Sequence, residues 1–206
     1  MPTFTSKIRK MPQKSLMGIL YFAAGMFLFA AVDTMAKVLT ESLHPLQVAW
    51  SRQLGLFIGI IILLVIKGTV ILKTDHFYLQ VLRGCLAAAS ALMFIFAISV
   101  VPIADAVAVS FVAPFFVTIL GALVLRERVG VRRWTAIAIG FIACLIIIRP
   151  GFSSFQPAVL LVVIAALAYA FRQIVSRILS SSDLTMTTVA YTGLTASFLL
   201  SIPLPL

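Results

Sequence analysis

The chain alternates between long apolar runs and short polar breaks. Seven runs recur, at about residues 15–36, 45–66, 77–100, 106–125, 131–148, 156–179 and 184–206. The fourth is the clearest. Its twenty residues pass without a charge, and at 1.5 Å per residue they make roughly 30 Å of helix, the thickness of a bilayer's hydrocarbon core. Asp105 opens the run, and Arg126, Arg128, Arg132 and Arg133, with Glu127 among them, close it. Length predicts a membrane span, and the arginines predict which end faces the cytoplasm. Pro114 lies near the middle. It removes a backbone donor and leaves the carbonyl of Ser110 in need of another partner. The pair Ser110 and Pro114 either shapes a pathway through a bend or is an ordinary proline site of a membrane helix.

The other runs carry their own signals. In the first, Gly18, Phe22, Gly25, Phe29 and Val32 recur at helical steps, so one face alternates small and aromatic residues. Small residues let a neighbouring helix approach closely. Asp33 and Lys37 are expected to end this span, four residues apart on one face. Pro45 suits the first position of the second span, and Arg52 then lies about 10 Å inside it. The third span contains Arg83, Gly84 and the small run Ala87, Ala88, Ala89, Ser90 and Ala91, which must pack against protein. Only Val101 and Pro102 separate spans three and four, which predicts a tight antiparallel hairpin. In the fifth, the charge-free part is 15 residues, so Arg132 and Arg133 are expected to reach back to the interface.

Composition supports this reading. The 206 residues are 62% hydrophobic and 11% charged, against about 25% charged in a soluble domain; mean hydropathy is +1.16. The class is an all-α polytopic membrane protein whose surroundings are a lipid bilayer. A net charge of +10 invites a nucleic-acid partner, but the cations sit between apolar runs and build no aromatic-interleaved basic face. We therefore read no nucleic-acid partner. The N-terminal cations Lys7, Arg9, Lys10 and Lys14 precede an apolar run longer than the core of a signal peptide, so residues 1–14 read as a cytoplasmic basic tail before an uncleaved first span. Cys85 and Cys144 fall inside apolar runs, without disulfide or metal-ligand spacing. No hydrolytic elbow, Walker loop or metal motif appears. No catalytic residue, metal or cofactor is implied, and an integral membrane enzyme is the weakest reading.

A shift of 140 residues places Phe29 on Tyr169, Ala30 on Ala170, Lys37 on Arg177, Val38 on Ile178, Leu39 on Leu179 and Ser42 on Ser182. Five spans separate the two copies, so the second runs inverted through the membrane, as in many secondary transporters. Arg52 in the second span, Leu82-Arg83-Gly84 in the third, and Pro102, Asp105-Ala106 and Pro114 in the fourth follow in a fixed order. With Glu127 after the fourth span, this order resembles the EamA module of the drug/metabolite transporter superfamily. The resemblance implies two inverted modules of five helices around a central cavity, and transport of a small-molecule metabolite. Residues 15–149 would form the first module and 150–206 the first two helices of the second. Two copies of a 140-residue repeat need about 280 residues, so the expectation is a C-terminally truncated chain. A second copy of the chain would then cover the exposed inter-module face.

Eight residues are candidates to bind substrate or line the pathway. Asp33 faces a cavity or pairs with Lys37. Arg52 and Arg83 hold an anionic group or reach to opposite surfaces. Asp105 lines the pathway or caps its helix. Ser110 and Pro114 are those at the break. Tyr169 and Gln173 lie one turn apart on the sixth span and line a cavity or pack. Glu127 reads as a charge-balanced loop residue. The functional expectation is a secondary transporter working by alternating access, without an ATP motif; the alternative is a non-transporting membrane partner or assembly protein. The expected location is the bacterial inner membrane. Twelve of the sixteen cations fall on one side if the N-terminus is cytoplasmic, and only Lys37 and Arg149 clearly on the other. Cysteines placed at Ser6 and Ser153 test this: intact cells should label at position 153 and not at 6, and the reverse pattern would invert the topology.

Overall fold

The computed structural model describes residues 13–127, 129–148 and 158–202, and every regular element among them is helical. The helices are α1 (Gln13–Leu39), α2 (Pro45–Lys67), α3 (Phe77–Val100), α4 (Ile103–Ser110), α5 (Ala113–Val124), α6 (Val131–Ile148), α7 (Ala158–Leu179) and α8 (Thr185–Ser201), with a short 3-10 turn at Thr69–Leu72. Ser6, Arg128, Arg149, Ser153, most of the basic tail, the start of the sixth expected span and the end of the seventh lie outside the described residues.

Five segments are long and apolar enough to cross a membrane: Leu16–Leu39, Pro45–Lys67, Phe77–Val100, Ile103–Val124 and Ala158–Leu179. The expected seven are therefore not all established. Helix α6 begins with Arg132 and Arg133 in its first turn, and α8 has 17 residues.

Two boundaries depart from expectation for physical reasons. Helix α1 does not stop at Asp33; it continues to Leu39, because both charges find partners from within a continuous helix. The fourth span divides into α4 and α5 at Phe111 and Val112. Pro114 opens α5 and offers no N–H to the carbonyl of Ser110. The chain tightens instead, with the Phe111 N–H donating to Ala108 and the Val112 N–H to Val109, both at 3.0 Å. Ser110 turns its hydroxyl onto the Val107 carbonyl.

Helices α3 and α7 form the centre. Helix α8 packs on α3 and α2, and α5 packs on α7. Small residues set these distances. A Cβ on Gly84 would lie 2.5 Å from Cβ of Thr195, so α3 and α8 touch there almost backbone to backbone. Ala88, one turn on, is buried, as the small run predicted. Ile95, Ala97 and Ile98 continue the buried face to Val48, Val162, Ala196 and Leu200. The small face of α1 is different: Gly18 and Gly25 meet no neighbour within 4 Å.

Polar contacts fix the directions. Lys37 Nζ donates to the Ile98 carbonyl at 2.7 Å, so α1 and α3 end at the same side. Trp50 Nε1 donates to Ser201 Oγ at 2.8 Å, which brings the start of α2 and the end of α8 there too. At the other side Arg83, near the start of α3, donates from Nε to Ser176 Oγ of α7 at 2.6 Å. Helices α1 and α7 are therefore antiparallel.

The weak sequence repeat is strong in the backbone. The turn after α1 and the turn after α7 carry the same bonds at a shift of 140. Leu43 N–H donates to Leu39 at 2.9 Å, and Asp183 N–H to Leu179 at 2.8 Å. Thr40 N–H meets Ala36, and Ser180 N–H meets Ser176, both at 3.0 Å. Hydroxyls repeat as well: Thr40 Oγ1 donates to the Lys37 carbonyl at 2.6 Å and Ser180 Oγ to the Arg177 carbonyl at 2.7 Å. Each next helix starts at the matching position, Pro45 and Thr185.

Packing at Gly84 and Ala88 yields a direct test. Ala88→Leu should destabilise the purified protein by about 1–3 kcal/mol, and Gly84→Ala should do so through the Thr195 contact. Ala23→Leu, on exposed α1, should leave the thermal midpoint unchanged. Equal midpoints for all three variants would disprove the packing account.

Candidate functional site

Each helix pair exposes N–H and C=O groups only to itself, so chemistry must come from side chains that point between helices. The structure gathers these in two layers near opposite ends of the bundle.

The first layer joins α1 and α2. Arg52 NH1 donates to Asp33 Oδ1 at 2.5 Å, with side chains only 17% and 14% exposed. The guanidinium lies over the Phe29 ring, 4.9 Å from its centroid. Asp33 therefore takes Arg52 rather than Lys37, which is used by Ile98. Removing one partner of such a pair leaves the other charge without compensation.

The second layer joins α3, α7 and α8. Arg83 donates from Nε to Ser176 Oγ, and from NH1 to the Thr188 carbonyl at 3.3 Å and to Thr192 Oγ1. Its partners are all neutral oxygens. Gln80, one turn earlier and fully buried, donates to Asp183 Oδ2 at 2.6 Å and to Thr188 Oγ1 at 3.3 Å. Its own carbonyl oxygen has no partner. Thr74 also donates to Asp183 Oδ2, at 2.6 Å. Tyr191 donates to the Leu72 carbonyl at 3.0 Å. Nearly all of these bonds cross from residues before 149 to residues after 158.

Beside this layer, α5 and α7 frame a cleft of about 190 Å³ lined by Val117, Gln173, Ser176, Arg177 and Ser180. Arg177 NH1 donates to both oxygens of Glu127, at 2.8 and 3.0 Å, and Arg133 stands 3.9 Å from the same carboxylate. Arg126 adopts φ 53°, a left-handed conformation unusual for arginine. The Glu127 N–H then folds back onto the Gly121 carbonyl at 3.3 Å. A Cβ on Gly121 would come 3.4 Å from Glu127 Oε2, so the bare glycine leaves room for the carboxylate. The pair is over a third exposed and contributes about 0.2–1 kcal/mol.

The remaining candidates are dispersed. Gln173 Nε2 donates to Tyr169 Oη at 3.1 Å, and Gln173 faces the cleft. Asp105 sits in the first turn of α4, where its charge suits the helix dipole, and it meets none of the other candidates. Ser110 and Pro114 form the α4–α5 break. Three contributors were not singled out in the sequence. Gln80 and Asp183 carry no motif. Arg172 lies over the Tyr169 ring at 4.7 Å. The step of three from Tyr169 to Arg172 was the signal available for it. No cluster of three or more His, Cys, Asp or Glu side chains suited to a metal occurs among the described residues.

A sequence profile of the EamA-like transporter family matches residues 16–149. The chain belongs to that family. It is 30% identical to the S-adenosylmethionine uptake transporter of Rickettsia prowazekii over 162 residues, 79% of this chain and 55% of that protein. It is 39% identical to the riboflavin transporter of Brucella anthropi over 129 residues, 63% of this chain and 45% of that protein. It is 26% identical to the pseudopaline exporter CntI of Pseudomonas aeruginosa over 188 residues, 91% of this chain and 66% of that protein. The chain spans about half the length of the first two relatives. No solved structure matches it.

Asp183 lies in the turn between α7 and α8, outside the spans, and gives a pH prediction. Partial burial opposes its ionisation, but hydrogen bonds from Thr74, Gln80 and Ser182, with His76 nearby, outweigh that and hold its carboxyl below the usual value of 3.8. A depressed folded pKa contributes stability above the unfolded value and loses it as pH falls through the folded one. The wild-type midpoint should therefore drop as pH falls below about 3.8, and Asp183→Asn should flatten that part of the curve. Parallel curves for the two proteins would remove Asp183 from this role.

Proposed function

We propose that the protein is a secondary transporter of small polar metabolites that works by alternating access. One observation carries the reading: a polar layer within an otherwise apolar bundle crosses from α3 to α7 and α8, the hairpin that repeats α1 and α2 in inverted orientation, within a chain of the EamA-like family. Groups such as Arg83 are expensive in hydrocarbon and are retained where they line a solute path. The reading has α1 to α6 as one module and α7 and α8 as the start of its inverted partner, with seven crossing helices in all. Its pathway candidates are Asp33, Arg52, Arg83, Asp105, Ser110, Pro114, Tyr169 and Gln173. The membrane is the bacterial inner membrane, with the N-terminus cytoplasmic. Coupling runs through a proton or exchange rather than nucleotide hydrolysis. A second copy covers the exposed side of α1, where Gly18 and Gly25 lack neighbours.

The names of the relatives narrow the substrates to test. S-adenosylmethionine and riboflavin both carry a heteroaromatic ring on a polar chain, which suits a path with aromatic and hydrogen-bonding walls. Proteoliposomes holding the purified chain should accumulate at least one of these labelled solutes above empty vesicles. Arg83→Gln and Asp33→Asn should each cut the initial rate about tenfold, the effect expected for a lost charge-assisted hydrogen bond. Absence of uptake for both solutes and for a wider metabolite panel would overturn the transport reading.

A further inference from the structure

The two copies of the repeated hairpin differ in their charge. In the first, the Phe29 ring carries the Arg52 guanidinium, and Asp33, one turn on, supplies a carboxylate to it. In the second, Tyr169 occupies the position 140 residues after Phe29 and carries the Arg172 guanidinium. One turn on stands Gln173 in place of Asp33. The aromatic platform and its cation are kept, while the carboxylate is gone.

The chain's other acids do not replace it. There are six in all. Asp33 pairs with Arg52, Glu127 with Arg177 and Arg133, and none of the six lies within 4 Å of Arg83 or Arg172. These two arginines sit at matching depth, about 9 Å in from the start of α3 and about 10 Å in from the end of α7. Ser176, which accepts from Arg83 Nε, stands one turn after Arg172 on α7, so both arginines flank the same turn of that helix. Arg83 is not released to the interface, because Ser176 and Thr192 hold it from both sides, and Thr192 is itself about 10 Å inside α8. A guanidinium has five N–H donors. Those of Arg83 NH2 make no hydrogen bond among the described residues, and Arg172 Nε is sealed from solvent with no partner.

We propose that Arg83 and Arg172 together hold one oxyanion, a carboxylate or phosphate group, which supplies the negative charge that Asp33 supplies in the first copy. Both are guanidinia, whose planar forks suit such groups. Ser176 joins them: it accepts from Arg83 and donates to the Arg172 carbonyl at 2.7 Å. The site rests on the transport reading only where the oxyanion belongs to the carried solute. A lipid phosphate at that membrane face presents the same chemistry.

The test is binding, read without transport. The full chain is placed in nanodiscs of phosphatidylcholine, and its thermal midpoint is followed while inorganic phosphate or succinate is added. A second series replaces part of the lipid with phosphatidylglycerol and adds neither anion. A saturable rise in the first series identifies a soluble oxyanion, a rise in the second identifies a lipid phosphate, and either supports the site. Arg172→Gln should weaken the response at least tenfold, and Arg172→Lys should restore part of it. Arg83→Gln should act alike, and where it fails to fold, the Arg172 variants decide. Midpoints that stay flat in every series, or that rise equally in Arg172→Gln, would overturn the proposal. A response without solute uptake would leave the site standing and remove only the transport reading.

Discussion

A guanidinium two turns inside a lipid-facing bundle must be satisfied by the protein around it, and much of this structure follows from how Arg83 meets that demand. Its Nε and NH1 groups are directed at Ser176 and at Thr188 and Thr192. Those bonds require α7 and α8 to lie against the same stretch of α3, in one register. The register works because Gly84 follows immediately and lets α8 approach at Thr195. Without the glycine, the threonines could not come within reach. Without the arginine, a dry apolar seam could slide by a turn at small cost. The polar layer thus fixes position, and the small residues next to it supply the contact area.

The repeated hairpin shows how one local design serves two ends of a membrane. The turns after α1 and α7 share backbone and hydroxyl bonds almost atom for atom, although few of their residues match. The bonding of side chains has diverged. At one end the ionic contact lies within the first copy, Asp33 to Arg52. At the other, Thr192 stands where Arg52 would be, and its partner comes from α3 instead. The two ends are therefore not equivalent. The Arg83 contacts join α3 to α7 and α8, while the Asp33–Arg52 contact joins α1 and α2.

Much of this was legible in the sequence, and the limit has a physical cause. Hydrophobic run length placed α2, α3 and α6 to within a residue. Pro114 announced the break between α4 and α5, since a proline's effect on its own ladder is local. The small run from Ala87 to Ala91 announced the buried face of α3. Partner choice was not legible. Asp33 has Lys37 one turn away, yet binds Arg52, because helix contacts depend on which faces meet and not on spacing along one helix. Gln80 carries no motif to single it out and is fully buried. Arg172 was not singled out and lies on Tyr169. The partner of Gln80 comes from 103 residues away and that of Asp33 from 19, so the meeting of faces and not distance along the chain decides the pairing.

Acid placement completes the physical picture. With sixteen cations and six acids, most basic side chains must rely on water, lipid phosphate or neutral oxygens. Asp183 could have been the exception for Arg83, since Gln80 bonds both Asp183 and Thr188, and Thr188 also accepts from Arg83. It stays in the surface turn instead, held by Thr74 and Gln80. There its charge is solvated and screened within about 10 Å at ordinary ionic strength. A carboxylate deeper in the seam would neutralise Arg83 permanently and cost little once paired. Its absence keeps that end of the seam positive, since neither Arg83 nor Arg172 has an acid within 4 Å. In a low-dielectric setting such a field acts over the whole width of the cleft. An anion approaching from that side meets this field before shape or hydrogen bonding can discriminate.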